Sequence, residues 1–308
     1  MLLGRPPIDI VPYTGKQWLS DGEVPPRHSR EPVKIVGDLW IGPLDELRLD
    51  IARAIDSPGE NHRVPRPPTM RFAIYRQRAP KEPIKGMLWD ADRAIAKCIQ
   101  ISRLIRPSSL AYRYACRIDL ANGLRTIIPA GVIGHQALAW CVDESSDAIK
   151  DSDIALLRPL LAAYERAPLT NRVRNAIWMH EHLAWTRLMN IRWPLLVTAL
   201  EALIHTDDRA LKRGRLGATD QFTRRLSKLQ ALLRLTLWTD DDLLGIYEHR
   251  SAFAHGRGGT IDALRGDALR LYKLAEDGLR AVLRRAIEHE PTADIFSSDR
   301  TIRTSLAF

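Results

Sequence analysis

The sequence predicts an α+β protein in two parts, a mixed α/β segment over residues 33–150 followed by an all-helical domain over 151–291. Three observations carry this. Leu110, Tyr112, Tyr114, Cys116 and Ile118 alternate with Ala111, Arg113, Ala115, Arg117 and Asp119, as a half-buried strand requires. Asn122-Gly123 stands between that run and Arg125-Thr126-Ile127-Ile128, and Asn-Gly favours a type I′ hairpin because both central residues need positive φ. From about residue 151 the apolar period becomes helical and stays so. The polar, acidic stretch 143–153 has the composition of a linker and places the boundary near 145–155. With 308 residues, 45% of them hydrophobic, the chain suffices for one large or two ordinary domains.

Taken in order, residues 1–32 are rich in proline and charge and read as an irregular arm. Val33–Val36 and Leu39–Ile41 read as short strands around Gly37-Asp38, and Leu44, Leu47, Ile51 and Ile55 fall at helical spacing. A proline-rich loop covers 56–69, and Met70, Phe72 and Ile74 alternate as a strand. Leu88, Ala91, Ile95, Cys98, Ser102 and Ile105 make one helical stripe. The hairpin around Asn122-Gly123 follows, and 137–142 fits a further strand.

In the second part, Val173, Ala176, Ile177, Leu183, Ala184, Leu188 and Ile191 predict one long helix, with Trp193-Pro194 opening the next. A basic loop spans 209–217. Phe222, Leu226, Leu229, Leu232 and Leu233 define another helix. Thr239 is placed to cap the helix after it, with Asp242 three residues on, and Gly256, Gly258 and Gly259 end that helix. The last long helix carries Leu264 to Ala286 and stops before Pro291. Residues 292–308 read as a polar C-terminal tail with a few apolar residues.

Composition narrows the function classes. Cys98, Cys116 and Cys141 are too few and too scattered for a disulfide framework or a zinc site, and fit reduced thiols in an intracellular protein. The N-terminus lacks the apolar core of a signal peptide, and no stretch approaches the roughly 20 apolar residues of a membrane helix. A soluble, cytoplasmic protein with no membrane partner is expected. The net charge of +9 favours polyanionic partners. No Walker-type phosphate loop, dinucleotide-binding glycine fingerprint or nucleophile elbow occurs. His180-Glu181-His182 is not a metal motif, because residues two apart face different sides of a helix. No metal and no cofactor are expected.

The residues that carry chemistry lie in Tyr247-Glu248-His249-Arg250-Ser251-Ala252-Phe253-Ala254-His255-Gly256. Leu243, Tyr247, Arg250 and Ala254 share one helical stripe, so a guanidinium lies in line with apolar neighbours and needs a carboxylate, a phosphate or water. His255 follows Arg250 by five positions, about 140° around an ideal helix. Gly256 favours a left-handed stop there, which puts His255 on the terminal turn.

Arg-x-x-x-x-His-Gly closing a helix resembles the signature of HEPN domains. Ala199-Leu200-Glu201-Ala202-Leu203-Ile204 is similar to the A-L-E-x-L segment of ApeA-like HEPN families, and the helix from Arg224-Arg225 to Leu233 resembles the one between. The likeness covers roughly 170–285. It implies a HEPN helical bundle that forms a homodimer or higher homo-oligomer and acts as a metal-independent endoribonuclease in antiviral defence or a toxin system. Residues 33–150 would be an accessory sensor or regulatory domain. The resemblance assigns His255 to proton transfer at the ribose 2′-OH and the leaving 5′-oxygen, and Arg250 to the scissile phosphate. These are roles that imidazole and guanidinium suit. The product would be a 2′,3′-cyclic phosphate. Glu201 would orient Arg250, with Ser251 and His249 as supporting residues. Ser251 departs from the Asn, Asp or His that catalytic members often carry there.

Arg209, Lys212, Arg213 and Arg215 read either as a solvated loop or as contacts to the RNA backbone. RNA, tRNA included, is the expected partner, with a phage-derived trigger or a protein inhibitor as regulator. The alternative is a non-catalytic HEPN module that binds nucleic acid or scaffolds a defence complex. A third reading, a purely protein-interacting subunit, expects Arg250 to be paired internally with Glu201.

Overall fold

The computed structural model describes residues 8–13, 18–19, 33–37, 39–43, 72–77, 89–107, 114–119, 126–132, 149–166, 169–186, 188–206, 217–256, 266–288 and 294–307. These residues are mostly helical. The expected helix over 44–55, the Asn122-Gly123 turn, the strand over 137–142 and the basic loop with Arg209, Lys212, Arg213 and Arg215 lie outside them. The chain divides into two compact units, Met1–Leu161 and Ala162–Phe308.

The first unit holds strands β1 (Ile8–Tyr13), β2 (Trp18–Leu19), β3 (Val33–Val36), β4 (Leu39–Pro43), β5 (Phe72–Gln77), β6 (Tyr114–Asp119), β7 (Thr126–Val132) and β8 (Ile149–Lys150). Six of them form a sheet in the order β3-β4-β5-β1-β6-β7, every neighbouring pair antiparallel; β2 and β8 pair in parallel. Helix α1 (Trp89–Ile105) buries Cys98, Ile99, Ile101 and Leu104. Helix α2 (Asp151–Arg166) begins in this unit. Its Asp153 carboxylate pairs with Arg106 at 2.7 Å, and its Arg158 donates to the Lys34 carbonyl in β3.

The second unit is helical: α3 (Asn171–Leu183), α4 (Met189–Ile204), α5 (Ala218–Leu232), α6 (Asp240–Ala254), α7 (Gly266–Glu288) and the short α8 (Asp299–Ser305). Helix α4 lies at its centre. Met189, Arg192, Trp193, Leu196, Val197, Ala199, Leu200, Leu203 and Ile204 are all buried and share one broad face, roughly 160° wide at 3.6 residues per turn. Helices α3, α5, α6 and α7 all pack on it.

One long helix over 173–191 was the expectation; the chain instead breaks after Leu183 and restarts at Met189. The cause is non-local. Arg192 Nη1 donates to the Leu183 carbonyl at 2.5 Å and to the Thr186 carbonyl at 3.1 Å, satisfying acceptors that a helix end leaves open. Pro194 therefore sits inside α4 rather than opening a helix. The C-terminus of α4 is closed in the same way. Arg225 donates to the Ile204 carbonyl at 2.9 Å, and Arg172 to those of Ala202 and His205. Cations there also complement the helix dipole.

The expected polar tail is folded. Phe296, Ile302 and Leu306 are fully buried, Ser298 caps α8, and Asp299 pairs with Arg172. Ile302 is the buried residue within the seven-residue helix, with Phe296 before it and Leu306 at its C-cap, too few positions for a period to show in the sequence.

Helix α7 comes close to the turn before α6. The Trp238 indole donates to the Leu274 carbonyl at 3.2 Å, and its ring lies over Gly278. A Cβ at 278 would fall 2.0 Å from a Trp238 ring carbon, so only glycine fits. Gly278→Ala is expected to lower unfolding stability by about 3 kcal/mol, the upper range for overpacking a core. Urea denaturation followed by circular dichroism checks this; an unchanged midpoint would show that the ring moves freely.

Candidate active site

Helix α6 carries the two residues of interest, and its ends are set by local chemistry. At the N-terminus Thr239 Oγ1 accepts from Asp242 N–H at 3.1 Å while the Asp242 carboxylate accepts from Thr239 N–H at 3.0 Å. This is the reciprocal capping box that the sequence predicts. Arg270 from α7 adds an ion pair to Asp242 at 2.9 Å. The Thr239 backbone bond, more than any other contact, holds the Asp242 carboxyl below the ordinary carboxylate range. At the C-terminus His255 is the cap residue, and Gly256 takes φ +69°, the left-handed stop.

Between these ends, α6 buries Leu243, Ile246, Tyr247 and Phe253. The fully buried Trp193 of α4 donates its indole N–H to the Ile246 carbonyl at 3.0 Å and packs its ring 4.9 Å from His249 and 5.7 Å from Phe253. Phe222 of α5 packs 5.0 Å from Tyr247 on the other side. These contacts fix the rotation of α6 about its axis and so the direction in which Arg250 leaves it.

Arg250 is a third exposed and Glu201 of α4 slightly less so. Arg250 Nη2 stands 3.7 Å from Glu201 Oε2, within ion-pair range but beyond a hydrogen bond. The guanidinium carbon lies 5.5 Å from the centre of the Tyr247 ring, at cation–π distance. Burial first, and then the charge of Glu201, raises the Tyr247 hydroxyl above its ordinary pKa, with Arg250 acting the other way. Arg250 Nε is buried and has no hydrogen-bond acceptor among the described residues.

The structure thus brings Arg250, Glu201 and Tyr247 into one cluster. His249 is half-buried against Trp193 rather than open to solvent. Ser251 is half-buried, and its carbonyl accepts from His255 N–H at 3.0 Å. His255 is exposed on the last turn. Trp193, which supports the cluster from beneath, is not singled out by the sequence, where it reads as one apolar residue among many.

No family model, curated protein or solved structure matches this chain.

The arrangement offers a cation with a fixed origin, a carboxylate that steadies it and an imidazole free to move protons. Its geometry depends on α6 being capped. Thr239→Ala is expected to cost about 1 kcal/mol at pH 7, as loss of an N-cap does. Because the folded Asp242 carboxyl is the more acidic, its contribution is present above the unfolded value of about 3.9 and is lost as pH falls through the lower folded value. Asp242→Asn should flatten that acid limb. Urea midpoints measured from pH 2 to pH 7, roughly the window in which carboxyls titrate, test both variants; identical acid limbs for wild type and Asp242→Asn would dismiss the cap's role.

Proposed function

We propose that the helical unit is a metal-independent endoribonuclease of the HEPN type. The observation that supports this best is the state of Arg250. It is held by ring face and charge, without a hydrogen bond among the described residues, four residues before the end of a helix that closes on an exposed His255.

In this reading the Arg250 guanidinium binds the non-bridging oxygens of the scissile phosphate and stabilises the charge that builds on them. His255 takes the proton from the ribose 2′-OH as the oxygen attacks phosphorus; imidazole also serves to protonate the departing 5′-oxygen. The P–O5′ bond breaks as the O2′–P bond forms, leaving a 2′,3′-cyclic phosphate and a 5′-OH. Two histidines, one from each copy of a homodimer, would divide the base and acid roles. Residues 33–150 serve as a mixed α/β accessory domain that senses a phage-derived trigger or receives an inhibitor. Arg209, Lys212, Arg213 and Arg215 contribute backbone contacts to RNA, tRNA included, in a cytoplasmic defence or toxin system.

A second reading, a non-catalytic module that binds nucleic acid, is favoured by Ser251 after the arginine, while the Arg250–Glu201 pair is what a purely protein-interacting subunit expects. The ion pair supports either view, since it orients Arg250 for a phosphate or satisfies it without one.

Purified protein is expected to cleave RNA in EDTA, leaving cyclic-phosphate ends, with Arg250→Ala and His255→Ala each slower by about 100-fold or more, the usual effect of removing an acid–base or charge-stabilising group. Mutants as active as wild type would move the activity elsewhere. Intact RNA binding with no cleavage, in the presence and absence of a phage lysate, would select the non-catalytic reading.

A further inference from the structure

The C-terminal half of α7 carries two arginines one turn apart, Arg280 and Arg284, a spacing that brings Cβ atoms to within about 6 Å. Both are withdrawn from water. Only 9% of the Arg280 side chain is exposed, and Arg284 is half-buried. Their counter-charges are weak. Arg280 Nη2 pairs with Asp277, whose side chain is 62% exposed and so screened by solvent. Arg280 Nη1 is buried and has no acceptor among the described residues. Glu276, one turn before Arg280, is engaged instead by Arg192 at 3.8 Å. Arg284 has no hydrogen bond and no ion pair among the described residues. Burial first, and then the charge of Arg280, lower its pKa and outweigh the pull of Asp277 and Glu288. A buried guanidinium with unused donors is costly, and a second one beside it adds repulsion. Native proteins rarely keep such groups without a reason.

We propose that Arg280 and Arg284 form an anion site for a phosphoryl group, separate from the candidate active site. A phosphoryl dianion matches two adjacent guanidiniums in charge, and its oxygens accept the forked N–H donors that both have unused. A single carboxylate would balance just one of them. The site lies apart from Arg250. Helices α6 and α7 run antiparallel, since Trp238 meets Gly278 while Gly245 meets Leu271. Arg250 and Arg280 therefore lie toward opposite ends of the helix pair, on the order of 20 Å apart along the axes at a rise of 1.5 Å per residue. The inference goes beyond the functional reading above and needs neither RNA cleavage nor RNA binding. Free inorganic phosphate and the phosphate of a mononucleotide share the chemistry that this pair recognises.

Isothermal titration calorimetry of the full chain with inorganic phosphate, at constant ionic strength, reads the site directly. Every protein carries Arg250→Ala, so that the candidate active site takes no part. Phosphate is expected to bind this parent with a Kd of about 1 mM or below, and Arg284→Gln to weaken binding at least about 10-fold. Arg280→Lys keeps the charge but loses the fork, and should weaken binding about 5-fold. Adenosine monophosphate is titrated alongside. Affinity equal to or below that of phosphate identifies the free anion as the ligand; tighter binding, lost in Arg284→Gln, identifies a nucleotide. In phosphate-free chloride buffer Arg284→Gln should unfold at the same temperature as the parent or higher, because it removes a repulsive charge. An arginine needed only for the fold predicts the reverse. No phosphate binding by the parent, equal affinity in Arg284→Gln, or a lower midpoint for that variant in chloride would each overturn the proposal. Should Arg280→Lys not fold, Arg284→Gln carries the test alone.

Discussion

Trp193 must be buried, and its indole N–H must still find an acceptor. Both demands are met at one place, where α4 crosses α6. The N–H goes to the Ile246 carbonyl, and the ring fills the space between His249, Phe253 and Tyr272. A carbonyl in the middle of a helix has a fixed direction, so this bond fixes α6 in rotation as well as in place. Arg250 starts one turn after Ile246, and Glu201 stands two turns after Trp193 on α4. The separation between the cation and its carboxylate is therefore inherited from an apolar contact.

Beside Trp193 the chain places a full charge in the core. Arg192 is 1% exposed and holds together four groups: the carbonyls of Leu183 and Thr186, the Tyr272 hydroxyl at 2.9 Å and, at 3.8 Å, the Glu276 carboxylate. A buried guanidinium is tolerable only when its fork of donors is used, and here most of them are. The same residue therefore ends α3, starts α4 and anchors α7. Burial raises the Tyr272 hydroxyl's pKa well above its ordinary range, which keeps that phenol a neutral partner at any pH the protein meets.

What the sequence discloses and what it hides separate by range. The capping box of Thr239 and Asp242, the glycine stop after His255 and the span of α1 are local, and residue types at fixed offsets predict them. The break after Leu183 is invisible because the apolar stripe runs on through Leu188 and Ile191. Those two side chains prove to be about half exposed, and the helix is closed by Arg192 from the next element. The folded end at 292–308 is missed because Phe296, Ile302 and Leu306 are too few to define a period. In the site, Arg250 and His255 stand out by spacing, and Glu201 through family resemblance. The bond from Trp193 to the Ile246 carbonyl joins α4 to α6 and has no signature along the chain.

The left-handed stop at Gly256 has a dynamic consequence. Helix ends open far more readily than helix middles that are packed on a core. Arg250 rises from a turn clamped by Trp193 and Tyr247, whereas His255 occupies a final turn whose neighbours Ala254 and Gly256 are exposed. Two groups five residues apart thus belong to different tiers of motion. Amide exchange at Arg250 should need opening of the helical core, while exchange near His255 needs only fraying of one turn. An anchored cation and a mobile imidazole on one helix suit a site whose second wall arrives with another molecule.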